Sequence, residues 1–202
     1  SEMWVKNLMT KEVVTVTPDD SLEVADERMR AGNFRHLPVV DRGLLVGILT
    51  DRDLRQHMGY LSRTKVNAAM TESPLAVTTR TTLEEAARLM LESKFGALPV
   101  VEKDRLVGIL TTSDLMVALL DLIGASSAET VRIDILLGNK GGGFPEVAKL
   151  VAEEGSEIVG MGTYRDTWGE SSVCYLRLRA REPDRLADHL KNKGYNVLGV
   201  HF

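Results

Sequence analysis

Residues 37–40 read Leu37-Pro38-Val39-Val40, and residues 45–50 read Leu45-Val46-Gly47-Ile48-Leu49-Thr50. Sixty-one positions later the same words return as Leu98-Pro99-Val100-Val101 and Leu106-Val107-Gly108-Ile109-Leu110-Thr111. The match extends outward. Met9-Thr10 falls on Met70-Thr71, Leu22-Glu23 on Leu83-Glu84, Phe34 on Phe95, and Asp53-Leu54 on Asp114-Leu115. Setting 9–54 against 70–115 gives 21 identities in 46 positions without a gap. Unrelated segments would share only a few, so this part of the chain is a duplication. A solenoid needs about three or more repeats to bury a continuous core. Two copies predict a pseudo-twofold pair instead.

Each copy reads as a compact β-α-β-β-α unit. A short extended piece (Val13–Thr17, Leu75–Thr78) comes first. A helix follows, with Leu22, Ala25 and Met29, matched by Leu83, Ala86 and Met90, forming one buried stripe. Asp20 or Thr81, with Glu23 or Glu84 three residues on, gives a capping-box start. Gly32 is expected to end the first helix in the left-handed conformation. Two strands joined by a charged turn come next, and a second helix starts near Thr50 or Thr111. The expected boundaries are 6–62 and 63–123 for the two copies.

Gly124-Ala125-Ser126-Ser127-Ala128 is small and polar and reads as part of a linker over 124–130. Beyond it, residues 131–202 carry a different pattern. Strands are expected at Val131–Leu137, Ile158–Tyr164, Val173–Arg179 and Tyr195–Phe202. Helices are expected at Pro145–Glu154, closed by Gly155, and Asp184–Lys193, closed by Gly194. Cys174, Leu176 and Leu178 alternate with Tyr175, Arg177 and Arg179, so one face of that strand is apolar. The order is β-α-β-β-α-β, the split βαβ of ferredoxin-like folds. The fold class is therefore mixed α/β (α+β).

Composition narrows the function. The chain has 202 residues, 44% hydrophobic and 27% charged, with 25 Lys plus Arg against 29 Asp plus Glu. That is the make-up of a globular protein, too apolar for a disordered one. The acidic balance argues against broad nucleic-acid binding. No apolar run approaches the roughly 18 residues of a membrane helix. With Cys174 as the only cysteine, no intrachain disulfide forms, and a reducing cytoplasm is the expected location. Cys174 itself reads as a buried strand residue.

Each repeat resembles a cystathionine-β-synthase (CBS) domain. The features that carry the resemblance are Met-Thr before the first strand, the Leu-Pro-Val-Val strand, and the segments Gly47-Ile48-Leu49-Thr50-Asp51-Arg52-Asp53 and Gly108-Ile109-Leu110-Thr111-Thr112-Ser113-Asp114. Together these span residues 6–122. Residues 131–202 resemble an ACT domain, a ferredoxin-like regulatory module, through their element order and the turn Gly138-Asn139-Lys140-Gly141-Gly142-Gly143. The family's acidic-residue-then-Pro-Gly turn is absent there. Two CBS domains followed by one ACT domain resemble the acetoin-utilisation regulatory proteins.

The resemblance implies a regulatory protein that binds an adenine nucleotide (AMP, ADP or ATP, with S-adenosylmethionine or NAD as further possibilities) in clefts between the repeats. It also implies a homodimer, a protein target, and an amino-acid effector at the ACT-like segment. In the first copy it assigns the ribose hydroxyls to Asp53, a hydroxyl donor to Thr50, and phosphate contacts to Arg52, Arg35 and His36. Val14, Val16, Leu37 and Pro38 would sandwich the adenine. Val77, Leu98, Pro99, Thr111 and Asp114 are the counterparts in the second copy. Because Arg35-His36 becomes Gly96-Ala97 and Asp51-Arg52 becomes Thr112-Ser113, the Asp53 site is expected to prefer phosphate-bearing ligands. Both Thr-x-x-Asp pairs are also capping-box sequences, which account for them without a ligand. A structural adaptor with empty clefts is the competing function.

No catalytic set emerges. His36, His57, His189 and His201 have no metal-ligand spacing, and Ser113 and Ser171 sit in no nucleophile elbow. The loop Gly138–Gly143 fits neither a dinucleotide fingerprint nor a phosphate loop, and it is expected to be an effector or interface loop or a plain turn. Arg177, Arg179 and Arg181 read as a solvated strand face.

Overall fold

The computed structural model describes residues 3–137, 143–165 and 171–202. The chain divides into two compact units, Ser1–Met116 and Val117–Phe202.

The first unit opens with a short helix, α1 (Val5–Leu8). The first copy holds α2 (Leu22–Gly32), β1 (His36–Asp41), β2 (Leu44–Thr50) and α3 (Asp51–Gln56). A 3₁₀ turn at Val66–Ala68 leads to β3 (Thr71–Glu72), β4 (Val77–Thr78), α4 (Leu83–Ser93), β5 (Ala97–Glu102), β6 (Arg105–Thr111) and α5 (Thr112–Leu122), a helix that runs past the division between the units. β1 and β2 form one antiparallel hairpin and β5 and β6 the other. Each has a register shift at the equivalent place, Val39/Val40 and Val100/Val101. The sheet order is β1-β2-β6-β5-β4, with β3 paired to β2.

The helix starts lie one residue beyond the sequence expectation. Leu22 and Leu83 are the first helical residues and are already buried, so the caps fall on Ser21 and Thr82. Ser21 Oγ accepts from the Val24 N–H at 3.3 Å, and Thr82 forms a full capping box with Glu85. Asp20 instead accepts from the Thr17 N–H at 2.8 Å, and Thr81 Oγ1 from the Thr78 N–H at 3.1 Å. These local turns compete with strand pairing. They shorten the expected extended pieces to one bridge, Val16 to Val39, and to β4. Gly32 is the last helical residue, and Asn33 takes the left-handed position at φ 53°.

The copies are not self-contained. The segment before each one packs on the other. The Val5 N–H donates to the Thr81 carbonyl at 2.9 Å and the Leu83 N–H to the Met3 carbonyl at 3.1 Å, while Thr10 and Ile109 exchange both backbone bonds at 2.9 Å. Val5 is fully buried in the core of the second copy, with Val77, Leu98 and Leu110. Conversely, the Leu22 N–H donates to the Thr64 carbonyl at 2.9 Å and the Val66 N–H to the Asp20 carbonyl at 2.9 Å. Val66 is fully buried in the core of the first copy, with Leu22, Leu37 and Leu49.

The second unit contains β7 (Val131–Leu136), α6 (Gly143–Glu153), β8 (Glu157–Arg165), β9 (Ser172–Arg179), α7 (Pro183–Asn192) and β10 (Asn196–His201). The antiparallel sheet has order β10-β7-β9-β8, the ferredoxin-like arrangement expected from the element order. Ile133, Ile135, Cys174, Leu176 and Leu178 pack with Val147, Val151, Leu186 and Leu190. Burial pushes the Cys174 thiol up to about 11, away from the reactive thiolate range. Asp134 is buried too. It accepts two bonds from Arg132, at 2.9 and 2.8 Å, and one from the Tyr164 hydroxyl at 2.9 Å. Arg177 is half-buried and donates to Thr130 Oγ1 at 3.5 Å, so that strand face is only partly solvated. The loop expected at 138–143 lies, but for Gly143, outside the described residues.

A methyl group at Gly160 would stand 2.3 Å from the Ile123 carbonyl oxygen. Gly160→Ala must therefore displace backbone and is expected to cost about 1–3 kcal/mol, read as a lowered urea midpoint. An unchanged midpoint would show that residue 123 is not held against β8.

Candidate functional site

The two Thr-x-x-Asp motifs adopt the same geometry. Thr50 N–H and Oγ1 donate to Asp53 Oδ2 at 2.8 and 2.7 Å, and the Asp53 N–H returns a bond to Thr50 Oγ1 at 3.2 Å. Thr111 N–H and Oγ1 donate to Asp114 Oδ2 at 2.7 and 2.8 Å, with the return bond at 3.4 Å. The capping role is thus real in both copies. Each pair spends one carboxylate oxygen on the cap. The other oxygen, Oδ1, has no hydrogen-bond partner among the described residues.

Because Thr10 pairs with Ile109, the start of the first copy lies beside the end of β6. A cleft of about 630 Å³ opens there. The first copy contributes Thr10, Val14, Phe34, Arg35 and His36, and the second contributes Ile109, Thr111, Thr112 and Ser113. The equivalent space on the other side is narrower, about 170 Å³. Thr71, Pro74, Leu75, Phe95 and Ala97 line it from the second copy, and His36, Ile48 and Thr50 from the first. Each cleft therefore combines the segment that opens one copy with the threonine of the Thr-x-x-Asp motif that closes the other; Asp53 and Asp114 stand behind those threonines and line neither cleft.

This divides the predicted residues differently from the sequence expectation. Val14 and Arg35 share a cleft with Thr111, not with Thr50. His36 borders both clefts. Arg52 is exposed and lines neither. Of the cations expected beside Asp53, Arg35 thus stands in the cleft of the second motif. Val16, Leu37, Val77 and Leu98 are core residues, and Pro38 and Pro99 are buried with them. They line neither cleft. A strand covered on both faces reads as one apolar run, so the sequence does not separate core from cleft wall.

Phe34 and Phe95 were legible as repeat identities, but not as cleft residues. Each is about two-fifths exposed and lines its own cleft. An aromatic residue repeated just past a helix end, where nothing covers it, is the signal that identifies them.

Among the cleft residues, His36 has its titration altered by the fold. Burial holds its imidazole below the ordinary histidine range, with Arg35 acting the same way against the opposing pull of Asp51 and Asp53. The neutral ring is thereby favoured. The wide cleft also carries Glu12 at its edge. Among the described residues no cluster of three His, Cys, Asp or Glu side chains could hold a metal ion. No described helix is long and apolar enough to cross a membrane.

Comparison with known proteins identifies the family of the first unit. The family model for the CBS domain matches residues 5–60 and again residues 66–121. The crystal structure of CBSX2 in complex with AMP is 37% identical, covers 58% of this chain and 96% of its own, and superposes with a TM-score of 0.52; CBSX2 is from Arabidopsis thaliana. AcuB of Vibrio cholerae is 34% identical over 63% of this chain and 99% of its own, with a TM-score of 0.56. The CBS domain pair of protein MJ0100, solved with 5′-methylthioadenosine and S-adenosyl-L-methionine, is 26% identical over 59% of this chain and 97% of its own, with a TM-score of 0.54.

Proposed function

This chain belongs to the CBS-domain family, and from that premise we propose that it is a non-enzymatic sensor binding an adenine nucleotide, AMP foremost, in the wide cleft. The observation that carries the reading is the meeting of Arg35 and His36 from one copy with Thr111 from the other around a space of about 630 Å³, well within the roughly 300–1,000 Å³ of small-molecule sites. In this reading Asp114 Oδ1, left over by the cap, accepts the ribose hydroxyls. Arg35 and His36 hold the phosphate by charge-assisted bonds. Val14, Phe34 and Ile109 take the adenine. The AMP bound by CBSX2 and the adenosyl ligands bound by MJ0100 support this class of ligand; the site residues are our assignment.

Ligand binding would change how the two copies pack, and a partner would read that change, to an extent set by the ligand's preference between two states. We assign residues 131–202 the role of an ACT-like relay beyond a linker at 124–130, and we expect a homodimer. The exposed Leu91 and Met116 support the dimer. The likeness to AcuB supports a place beside the acetoin-utilisation regulators.

The test is an AMP titration followed by NMR observation of His36. AMP is expected to bind and to move the His36 titration upward, because a phosphate beside the ring favours the imidazolium. The same sign governs stability. The unfolded chain takes up this proton near pH ~6.5 while the folded, ligand-free chain resists it, so stability falls as pH drops below that value and AMP reverses part of the loss. Absence of AMP binding would favour the adaptor. A His36 titration unmoved by bound AMP would place the phosphate elsewhere.

A further inference from the structure

We infer that Glu12 limits the number of phosphates the wide cleft accepts, admitting a nucleoside monophosphate and disfavouring the di- and triphosphate. The inference rests on the reading of this cleft as a nucleotide site and deepens it.

The charges of the lining come first. Among the described residues, Arg35 is the one arginine or lysine that lines the cleft, and His36 is the one histidine. A phosphate monoester carries about −1.5 to −2 at pH 7. Arg35 and an imidazolium at His36 can balance that charge. Each further phosphate adds negative charge, and no lining cation is left to meet it. The added charge gives up hydration without gaining a partner.

Glu12 turns this shortage into a barrier. It is the one carboxylate that lines the cleft among the described residues. Its side chain is exposed and makes no hydrogen bond or ion pair with them. Its charge is therefore not cancelled by a neighbour. A space of about 630 Å³ is on the order of 10 Å across, about one screening length at physiological salt. A phosphate chain that grows within it stays in reach of the carboxylate. The repeat does not call for an acid at this place. The position 61 residues on is Ser73, and the second copy builds the same hairpin with an uncharged residue there.

The experiment titrates AMP, ADP and ATP, free of divalent cations, into the full chain by calorimetry. The same titrations are made with Glu12→Gln and Glu12→Lys. Residue 12 is exposed, so both variants are expected to fold, which thermal melts check. AMP is expected to bind the unmodified chain at least about tenfold more tightly than ATP, with ADP between them. Glu12→Gln is expected to raise ATP affinity about three- to tenfold more than AMP affinity, the size of a two-charge repulsion across roughly 10 Å. Glu12→Lys, which adds a cation, is expected to bind ATP at least as tightly as AMP. ATP binding the unmodified chain as tightly as AMP, or an AMP-to-ATP ratio that Glu12→Gln leaves unchanged, would overturn the inference. An equal loss of affinity for all three nucleotides in Glu12→Gln would do the same, since it would assign Glu12 to the nucleoside. Failure of all three to bind the unmodified chain is a separate result, which would remove the nucleotide reading itself and this inference with it.

Discussion

Asp114→Ala is expected to lower AMP affinity about ten- to a hundredfold, whereas Asp53→Ala leaves it within about threefold. Both variants lose a helix cap of the same geometry, so the cost in stability is similar, about 1 kcal/mol each. Only one of them stands beside the cationic cleft. Thr111, held by Asp114, lines the space that contains Arg35 and His36, while Thr50, held by Asp53, lines the narrow space, which shares His36 but holds no arginine or lysine among the described residues. A hydrogen bond to a charged acceptor contributes roughly 1.5–3 kcal/mol, and a tenfold change in affinity is about 1.4 kcal/mol. Calorimetric AMP titrations of the two variants, with thermal melts to confirm folding, give the comparison. Equal losses would mean that the cap and not the ribose contact controls affinity, and the reverse order would return the phosphate site to the first motif.

Val5→Asp is expected to destabilise the first unit by about 4 kcal/mol or more, because a carboxylate is placed without a partner in a closed apolar core. Val5 has no exposed surface and sits among Val77, Leu98 and Leu110. Against a usual total of roughly 5–15 kcal/mol, that loss leaves little margin. The location of the damage is the informative part. Residue 5 precedes the first copy in sequence but is buried in the second. Hydrogen exchange should therefore rise first in β5 and β6, with β1 and β2 following. Damage confined to β1 and β2, or no loss in the urea midpoint, would sink the exchanged packing described above.

The repeat, the order of elements and the ferredoxin-like half were legible because each rests on local pattern. The identities 61 residues apart fix two like hairpins, and the alternation of Cys174, Leu176 and Leu178 fixes the buried face of β9. The pairing of residues into sites was not legible. Arg35-His36 and Thr50-Asp53 lie on neighbouring elements of one copy, and proximity along the chain suggested one site. The fold instead joins Arg35 to Thr111 through the Thr10–Ile109 bridge, a contact across about a hundred residues that no local periodicity encodes. Val16, Leu37 and Leu98 show the complementary limit. Their apolar character was evident, yet only the packing separates a core residue from one that a ligand touches.

The exchanged lead-in segments bear on how such a chain could arise. A single copy made alone would carry its own lead-in but lack the one that seals it. Two identical single copies could supply each other's missing piece, and the same closed pair would form between separate molecules. Gene duplication with fusion then turns a bimolecular exchange into an intramolecular one. The closing segment is supplied at a fixed effective concentration, and the two halves become free to diverge, as the difference between Arg35-His36 and Gly96-Ala97 illustrates.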